Sequence, residues 1–149
     1  MSEHHVPVML KESLDLLITD RSGIYFDATL GFGGHSSEIL KRLNNDGRLI
    51  ASDVDTDAFE FSKNKFTKEP GVSLYNFNYS FIDVIAKIES IQNYDGVLAD
   101  LGVSSFQLDN PDSGFTYRSD AFLDLRMDKS KKNTAADIIN TFTEEDLAN

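Results

Sequence analysis

The chain has 149 residues, of which 40% are hydrophobic and none is cysteine, and its formal net charge is −11 at pH 7. This length indicates one domain with a substantial core. The lack of cysteine excludes disulfides and thiolate metal sites, and no apolar run reaches the ~20 residues of a membrane helix, so we expect a soluble, cytoplasmic protein. The acidic charge argues against binding nucleic acid through a broad basic surface.

The first nine residues are predicted to form an extended arm. It contains His4 and His5, which point to opposite sides of an extended chain and are therefore not expected to share a metal ion. Apolar spacing then predicts a helix over residues 9–17 and a strand over 24–26, with Gly23 as the stop between them.

A glycine-rich segment follows this first strand and leads into a second helix, predicted over residues 36–43. We name residues 28–34 the glycine turn; it contains Gly31, Gly33 and Gly34. Glycine allows positive φ and lets a ligand approach the main chain, and the N–H groups at the helix start can receive a carboxylate or phosphate. The alternative is a turn that only lets the helix pack closely on the sheet.

Three further strands are predicted over residues 48–53, 72–77 and 94–101, separated by helices over 55–66 and 81–91. Four strands that alternate with helices predict a doubly wound, mainly parallel, Rossmann-like α/β sheet, incomplete at about four strands. The last strand is apolar without alternation, which is typical of a strand covered on both faces.

Polar residues stand where these strands end, at Asp27, Asp53, Asn78–Ser80 and Asp100. Ligands of open parallel sheets bind at this edge. Asp53 lies 20 positions after Gly33, the spacing at which an acid grips a ribose diol, so we predict a cofactor that contains adenosine. The alternatives are that Asp53 caps a helix, that Asp100 caps the turn at Ser104, and that Tyr79 is a core aromatic residue.

The chain then becomes polar over residues 107–133, before a helix capped by Thr134 and the start of another at Thr143. Because the sequence stops in the first turn of that helix, we expect it to be part of a longer protein. Residues 118–132 are locally basic through Arg118, Arg126 and three lysines. They are either a solvated loop or an RNA contact.

Three motifs together resemble the MraW/RsmH family of bacterial methyltransferases, which act on the exocyclic amine of a cytosine in small-subunit ribosomal RNA. They are His5-Val6-Pro7-Val8, the segment Asp27–Ser36, and the segment Asp100–Asp109. Two positions depart from the family pattern: Ser113 stands where Arg is common, and Leu125 where Met is usual.

The resemblance implies that S-adenosyl-L-methionine is the cofactor and that no metal takes part. The residues implied to hold the cofactor are Gly33, Gly34, His35, Asp53, Tyr79, Asp100 and Gln107. Asp53 would bind the ribose, Tyr79 would lie beside the adenine, and Asp100 and Gln107 would lie near the methionine end. Asp100 is also the candidate catalytic residue, because a carboxylate that accepts an N–H localises the lone pair of an aryl amine.

The resemblance also implies two domains, residues 1–109 as the first half of the cofactor-binding core and 110–149 as the start of a helical insert. The partner would be the RNA of the small ribosomal subunit, read by shape and a flipped base. An unfinished sheet edge predicts a possible homodimer. The competing functions are an NAD-binding oxidoreductase, because Gly31-x-Gly33-x-x-Ser36 is close to the dinucleotide fingerprint, and a non-catalytic binding module.

Overall fold

The computed structural model describes residues 7–148, so the arm residues His4 and His5 lie outside the described part of the chain. Two compact units are present, one ending at Leu101 and the other beginning at Gly102. The boundary expected at 109/110 refers to domains of the longer family fold and stays a prediction. None of the helices formed by residues 7–148 has the length and apolar character to cross a membrane.

The first unit alternates helices and strands. In chain order it contains α1 (Leu10–Leu17), β1 (Ile24–Asp27), α2 (Gly34–Arg42), β2 (Arg48–Ser52), α3 (Thr56–Phe66), β3 (Val72–Tyr75), a 3-10 turn (Tyr79–Phe81), α4 (Ile82–Ile88) and β4 (Gly96–Leu98). The strands form one sheet in the order β3-β2-β1-β4, with every neighbouring pair parallel. The predicted Rossmann-like α/β fold is therefore confirmed.

The strand order reverses at β1. Strands β1, β2 and β3 follow one another across the sheet in one direction, whereas β4 returns to the other side of β1. The carboxyl ends of β1 and β4 consequently form a topological switch point, which is where open α/β sheets bind their ligands.

The central strands are buried on both faces, as expected for a sheet wound on both sides. One face packs on α1 and α2 through Leu14, Tyr25, Ile39 and Leu49, all fully buried. The opposite face packs on α4 through Phe26, Ile50 and Ile85. Burial of each such side chain contributes about 1.5–3 kcal/mol, so these two layers fix where the strand ends lie.

The fourth strand differs from its prediction. It spans only Gly96–Leu98, and the side of β4 away from β1 has no strand partner among the described residues. Leu98 joins the core, but Val97 is 51% exposed, so the prediction that this strand is covered on both faces is wrong for Val97. The physical reason is that Val97 points to the face opposite Leu98, and β4 is an edge strand.

The remaining differences lie at element ends. The strand predicted over 48–53 ends at Ser52, the one over 72–77 ends at Tyr75, and the helix over 81–91 is a 3-10 turn followed by Ile82–Ile88. Two side chains accept backbone N–H groups just beyond these strands, Asp53 from Asp55 and Asn78 from Ser80, and both favour a turn over further strand.

The second unit contains α5 (Ser105–Asp109), a 3-10 turn (Pro111–Ser113), α6 (Ala135–Thr141) and α7 (Glu144–Ala148). The predicted cap at Thr134 is confirmed, and it forms a capping box with Asp137. The turn Pro111–Ser113 and the end of α5 lie inside the polar stretch expected to be a loop. These helical turns form because capping side chains accept hydrogen bonds from their first N–H groups.

The irregular segment 114–134 is ordered by hydrogen bonds to its own backbone. The N–H of Ala135 donates to the carbonyl of Asp124 over 2.8 Å, and that of Ala136 to the carbonyl of Leu123 over 2.9 Å. Gly114 has φ +78°, and a Cβ there would lie 2.6 Å from the carbonyl oxygen of Phe122. Glycine is thus required where the chain folds back on itself.

Candidate functional site

Polar groups from three strands surround the switch point. Asp27 is the last residue of β1, Asp53 directly follows β2, and Asp100 comes two residues after β4. The backbone N–H of Asp100 donates to Oγ1 of Thr29 over 2.9 Å, which ties the end of β4 to the segment after β1. The prediction that these carboxylates share one edge of the sheet is therefore confirmed.

The glycine turn joins β1 to α2 through two left-handed residues. Gly31 has φ +50° and Gly33 has φ +72°, and the N–H of Gly33 donates to the carbonyl of Leu30 over 2.8 Å. A Cβ on Gly33 would lie 2.6 Å from the ring of Phe66. Gly33 is therefore needed both for its backbone conformation and for close packing of α3 on the turn.

The other two glycines face different surroundings. A Cβ on Gly34 would lie 2.5 Å from Cγ of Pro7, so the main chain of α2 is in close contact with the arm. A Cβ on Gly31 would meet only the carbonyl oxygen of Thr29, at 3.9 Å. Packing thus explains Gly33 and Gly34, whereas Gly31 leaves open space where a Cβ would stand, and its N–H and carbonyl are hydrogen-bonded within the protein.

Asp53 is hydrogen-bonded to the glycine turn. Its Oδ2 accepts from the N–H of Gly31 over 2.7 Å, and its Oδ1 accepts from the N–H of Asp55 over 2.9 Å. Burial raises the pKa of Asp53, and the backbone hydrogen bonds oppose this shift. Asp55, not Asp53, caps α3, since its side chain accepts from the N–H groups of Asp57 and Ala58. The helix-cap alternative for Asp53 is therefore wrong.

Asp27 lies below the turn and is fully buried. Its Oδ2 accepts from the hydroxyl of Ser36 over 2.6 Å, and its Oδ1 from the N–H of Thr29 over 3.1 Å. Burial raises the pKa of Asp27 above its usual value. This carboxylate fixes the start of α2 to the end of β1, so it shapes the site without facing it.

His35 and Asp100 come together at the same edge. His35 is 7% exposed in the first turn of α2, and its Nδ1 lies 3.9 Å from Oδ2 of Asp100. This distance is too long for a hydrogen bond but allows attraction when the imidazole is protonated. The side chain of Asp100 is 55% exposed, so its carboxylate can meet a substrate. The cap that the alternative assigned to Asp100 is supplied by Ser104, whose hydroxyl accepts from the N–H of Gln107.

Tyr79 lies beyond the end of β3 and is 45% exposed, so it is not a core aromatic residue. Asn78 holds the turn that carries it, by accepting from the N–H of Ser80 over 2.9 Å. Phe77 and Phe81 are exposed neighbours whose ring centroids are 6.1 Å apart. The segment offers an aromatic surface on which a flat ring can stack.

Gln107 belongs to the second unit. Its Oε1 accepts from the N–H of Ser104 over 3.0 Å, and its own N–H donates to the Ser104 hydroxyl over 3.2 Å, which completes the capping box of α5. The nearby Ser113 is 7% exposed, and its hydroxyl donates to the carbonyl oxygens of Gln107 and Asn110. Ser113 therefore holds a turn instead of presenting a cation.

Two residues that sequence reasoning missed support the glycine turn from α3. The hydroxyl of Ser62, fully buried, donates to the carbonyl of Gly31 over 2.7 Å. The ammonium of Lys65 donates to the carbonyl oxygens of Phe32 over 3.1 Å and Gly33 over 3.0 Å. The sequence offered only the three-residue spacing of a serine and a lysine on one helix face, which is not specific.

The basic stretch is largely neutralised within the second unit. Asp124 receives hydrogen bonds from Arg126 over 2.6 Å and from Lys129 over 3.0 Å, and these hold the pKa of Asp124 well below its usual range. Arg118 forms an ion pair with Asp109. RNA contact by this stretch stays a prediction.

Two shallow clefts of about 390 and 400 Å³ lie along α1, and neither is lined by Gly33, Asp53 or Asp100. Within residues 7–148, no group of three or more histidine and acidic side chains is arranged to hold a metal ion.

The parallel sheet with its switch point, the glycine turn and the acid after β2 define a Rossmann-like domain of the class that binds nucleotide-type cofactors. A solved protein-L-isoaspartate O-methyltransferase shares this fold, with a TM-score of 0.53 and 12% identity over 65% of this chain and 30% of that protein.

The model of the MraW methylase family matches residues 2–149, and the chain belongs to this family. It is 48% identical over 143 residues to the ribosomal RNA small subunit methyltransferase H of Caldicellulosiruptor saccharolyticus, which covers 96% of this chain and 47% of the relative. The protein of the same name from Fusobacterium nucleatum is 45% identical over 99% of this chain and 47% of the relative. The chain spans about half the length of these curated relatives.

Family membership confirms the resemblance inferred from the motifs, and it confirms S-adenosylmethionine as the cofactor of the family. An NAD-dependent oxidoreductase is not favoured. The assignment of individual residues to parts of the cofactor stays a prediction.

Proposed function

We propose that this chain carries the cofactor-binding part of an S-adenosylmethionine-dependent methyltransferase that modifies the exocyclic amine of a cytosine in small-subunit ribosomal RNA. The observation that carries the proposal is the hydrogen bond of 2.7 Å between Asp53 and the N–H of Gly31, beside the anchored Asp100. It brings the glycine turn and two acids to one switch point. The names of the relatives support the substrate class.

The residues present fit the cofactor. Asp53 accepts hydrogen bonds from the N–H groups of Gly31 and Asp55, and a carboxylate has about four acceptor sites, which leaves capacity for a ribose diol. Apart from its two chain neighbours, no described residue places a side chain within 4 Å of where a Cβ of Gly31 would stand, and the exposed ring of Tyr79 can stack on an adenine. Gly33, Gly34 and His35 would border the amino-acid end, and the role of Gln107 rests on the family resemblance alone.

When bound, S-adenosylmethionine supplies a methyl group that is activated by its positively charged sulfur. The chain's task is to position the amine and to match the change in charge. We assign the first step of this task to Asp100, whose half-exposed carboxylate would accept one N–H of the cytosine amine. Accepting this hydrogen bond localises the nitrogen lone pair and favours its attack on the methyl group, and Asp100 would take the proton that the nitrogen loses as the N–C bond forms and the S–C bond breaks.

The cofactor assignment is tested by calorimetric titration of the chain with S-adenosylmethionine and, separately, with NAD. We expect binding of the methyl donor only. Replacing Asp53 by Asn should weaken that binding about tenfold, because one charged acceptor for the diol is lost. Asp57→Asn, an exposed change on α3, is the matched control. Binding of NAD without binding of the methyl donor would reverse the assignment.

The substrate is tested with small ribosomal subunits that lack the modification and with labelled methyl donor. The relative from Caldicellulosiruptor saccharolyticus serves as the comparison of full length. Label on the exocyclic nitrogen of a cytosine, identified by mass spectrometry of the digested RNA, is the expected product. Cofactor binding without any transfer would support the non-catalytic module instead.

Association through the free edge of β4 is also part of this proposal. In the described residues β4 pairs only with β1, and Val97 beside that edge is half exposed. Unpaired edges invite pairing with a second copy. Sedimentation equilibrium across a range of concentrations should show a dimer, and a monomer at every concentration would exclude one.

A further inference from the structure

We propose that Ser62 and Lys65 of α3 are positioning residues for the cofactor, acting through the glycine turn. The inference rests on the proposed function, and it assigns to α3 a role that the motifs do not contain. We name these two side chains the α3 brace.

The brace holds three successive carbonyl groups of the turn. Ser62 donates to the carbonyl of Gly31 over 2.7 Å, and Lys65 donates to those of Phe32 over 3.1 Å and Gly33 over 3.0 Å. The carbonyl of Gly33 also accepts from the N–H and the hydroxyl of Ser37 in the first turn of α2, so at this peptide Lys65 adds a charged donor to hydrogen bonds that α2 already makes. The three hydrogen bonds from α3 tie the peptide planes of the turn to one helix.

Fixing the carbonyls also fixes the N–H groups on the other side. A trans peptide is planar, and its C=O and N–H point in opposite directions. Because the carbonyl of Gly33 points at the N–H of Ser37 and at Lys65, the N–H of Gly34 in the same peptide points outward from the first turn of α2. Gly34 begins α2, so this N–H lies at the positive end of a nine-residue helix. Such a group is suited to a carboxylate, as in the amino-acid part of S-adenosylmethionine.

Lys65 is suited to this role because it has no carboxylate partner within the described residues. Burial and, to a smaller extent, the charge of Lys41 lower the pKa of Lys65. Its charge on the carbonyl side polarises the peptides and strengthens their N–H groups as donors. Phe66, under Gly33, prevents α3 from moving closer.

The test compares Lys65→Met with Lys63→Met in the chain as it stands. Methionine keeps most of the stem and removes the ammonium. Lys63 is the matched control because it is exposed on the same helix and pairs with Glu60 instead of the turn. The first measurement is the amide resonance of Gly34 without cofactor. We expect it to move in Lys65→Met and to stay in Lys63→Met; an unmoved resonance in both would overturn the brace, whatever the cofactor.

The second measurement is calorimetry with three probes: S-adenosylmethionine, S-adenosylhomocysteine and 5′-methylthioadenosine. The first two carry the amino-acid carboxylate and the third lacks it. We expect Lys65→Met to weaken the first two about tenfold and the third less than about twofold. Lys65→Arg should restore most of the loss, and Ser62→Ala should shift affinities in the same direction as Lys65→Met.

Equal losses for all three probes would mean a merely structural role and would overturn the inference. The proposed function is tested separately with the unmodified chain. If the unmodified chain binds none of the three probes, both the proposed function and the positioning role are wrong, even where the resonance of Gly34 moves in Lys65→Met. The two failures are thus distinguished by which protein shows them.

Discussion

The carboxylate of Asp53 accepts a hydrogen bond from the N–H of Gly31 over 2.7 Å, although 22 residues separate them. This contact links the loop after β2 to the turn after β1, so that the acid and the glycine turn form one edge. A substitution in the loop after β2 is therefore expected to alter the turn after β1, and the reverse.

Asp27→Asn should make stability less dependent on pH. Burial raises the pKa of Asp27, so its protonated form favours the folded state. The stability from that form is complete below the usual pKa and is lost as pH rises through the raised value. Relative to the wild type, the variant should gain stability as pH rises above the ordinary carboxyl pKa of about 4, measured by urea unfolding.

The exposed Asp46→Asn serves as the control for removing a surface carboxylate, and its unfolding is measured over the same pH range. A difference from wild type that stays constant over this range for Asp27→Asn would contradict the role of burial.

Gly33→Ala should destabilise the first unit by about 2–4 kcal/mol. Alanine at φ +72° is strained, and its Cβ would lie 2.6 Å from the ring of Phe66. Gly31→Ala, at φ +50° with open space, should cost only about 1 kcal/mol. Both changes in the free energy of unfolding are measured by urea unfolding. The double variant Gly33→Ala, Phe66→Leu should recover part of the stability that Gly33→Ala loses. Equal costs at the two glycines would contradict the packing explanation.

Asp100→Asn should show whether Asp100 acts in methyl transfer or only in cofactor binding. If the carboxylate accepts an N–H of the amine, kcat falls about 100-fold while the Kd of S-adenosylmethionine changes less than about threefold. Thr29→Val, which removes the acceptor for the backbone N–H of Asp100, should give a smaller loss of kcat. A loss confined to Kd would make Asp100 a cofactor ligand only.

Asp124→Asn should loosen the irregular segment of the second unit. Asp124 holds Arg126 and Lys129, and these hydrogen bonds lower its pKa. Its stabilising effect is therefore present at neutral pH and is lost only as pH falls through the lowered value. The amide hydrogen-exchange rates of residues 122–136 at neutral pH should rise several-fold. This rise corresponds to a loss of about 1 kcal/mol of local stability.

Asp120→Asn, in the same segment and exposed, is the comparison and should leave that exchange unchanged. If Asp124→Asn leaves it unchanged too, the backbone hydrogen bonds alone order the segment.

The sequence by itself determined the alternation of strands and helices, the acids at the strand ends, and the family, because periodicity and motifs are local properties of the chain. Tertiary structure decided what each group touches. Gly33 and Gly34 are explained by Phe66 and Pro7, and Val97 is half exposed although its strand reads as buried. Ser62 and Lys65 reach the turn from 31 and 32 residues away. Such contacts depend on how distant segments pack, and no local pattern records which partner a side chain meets.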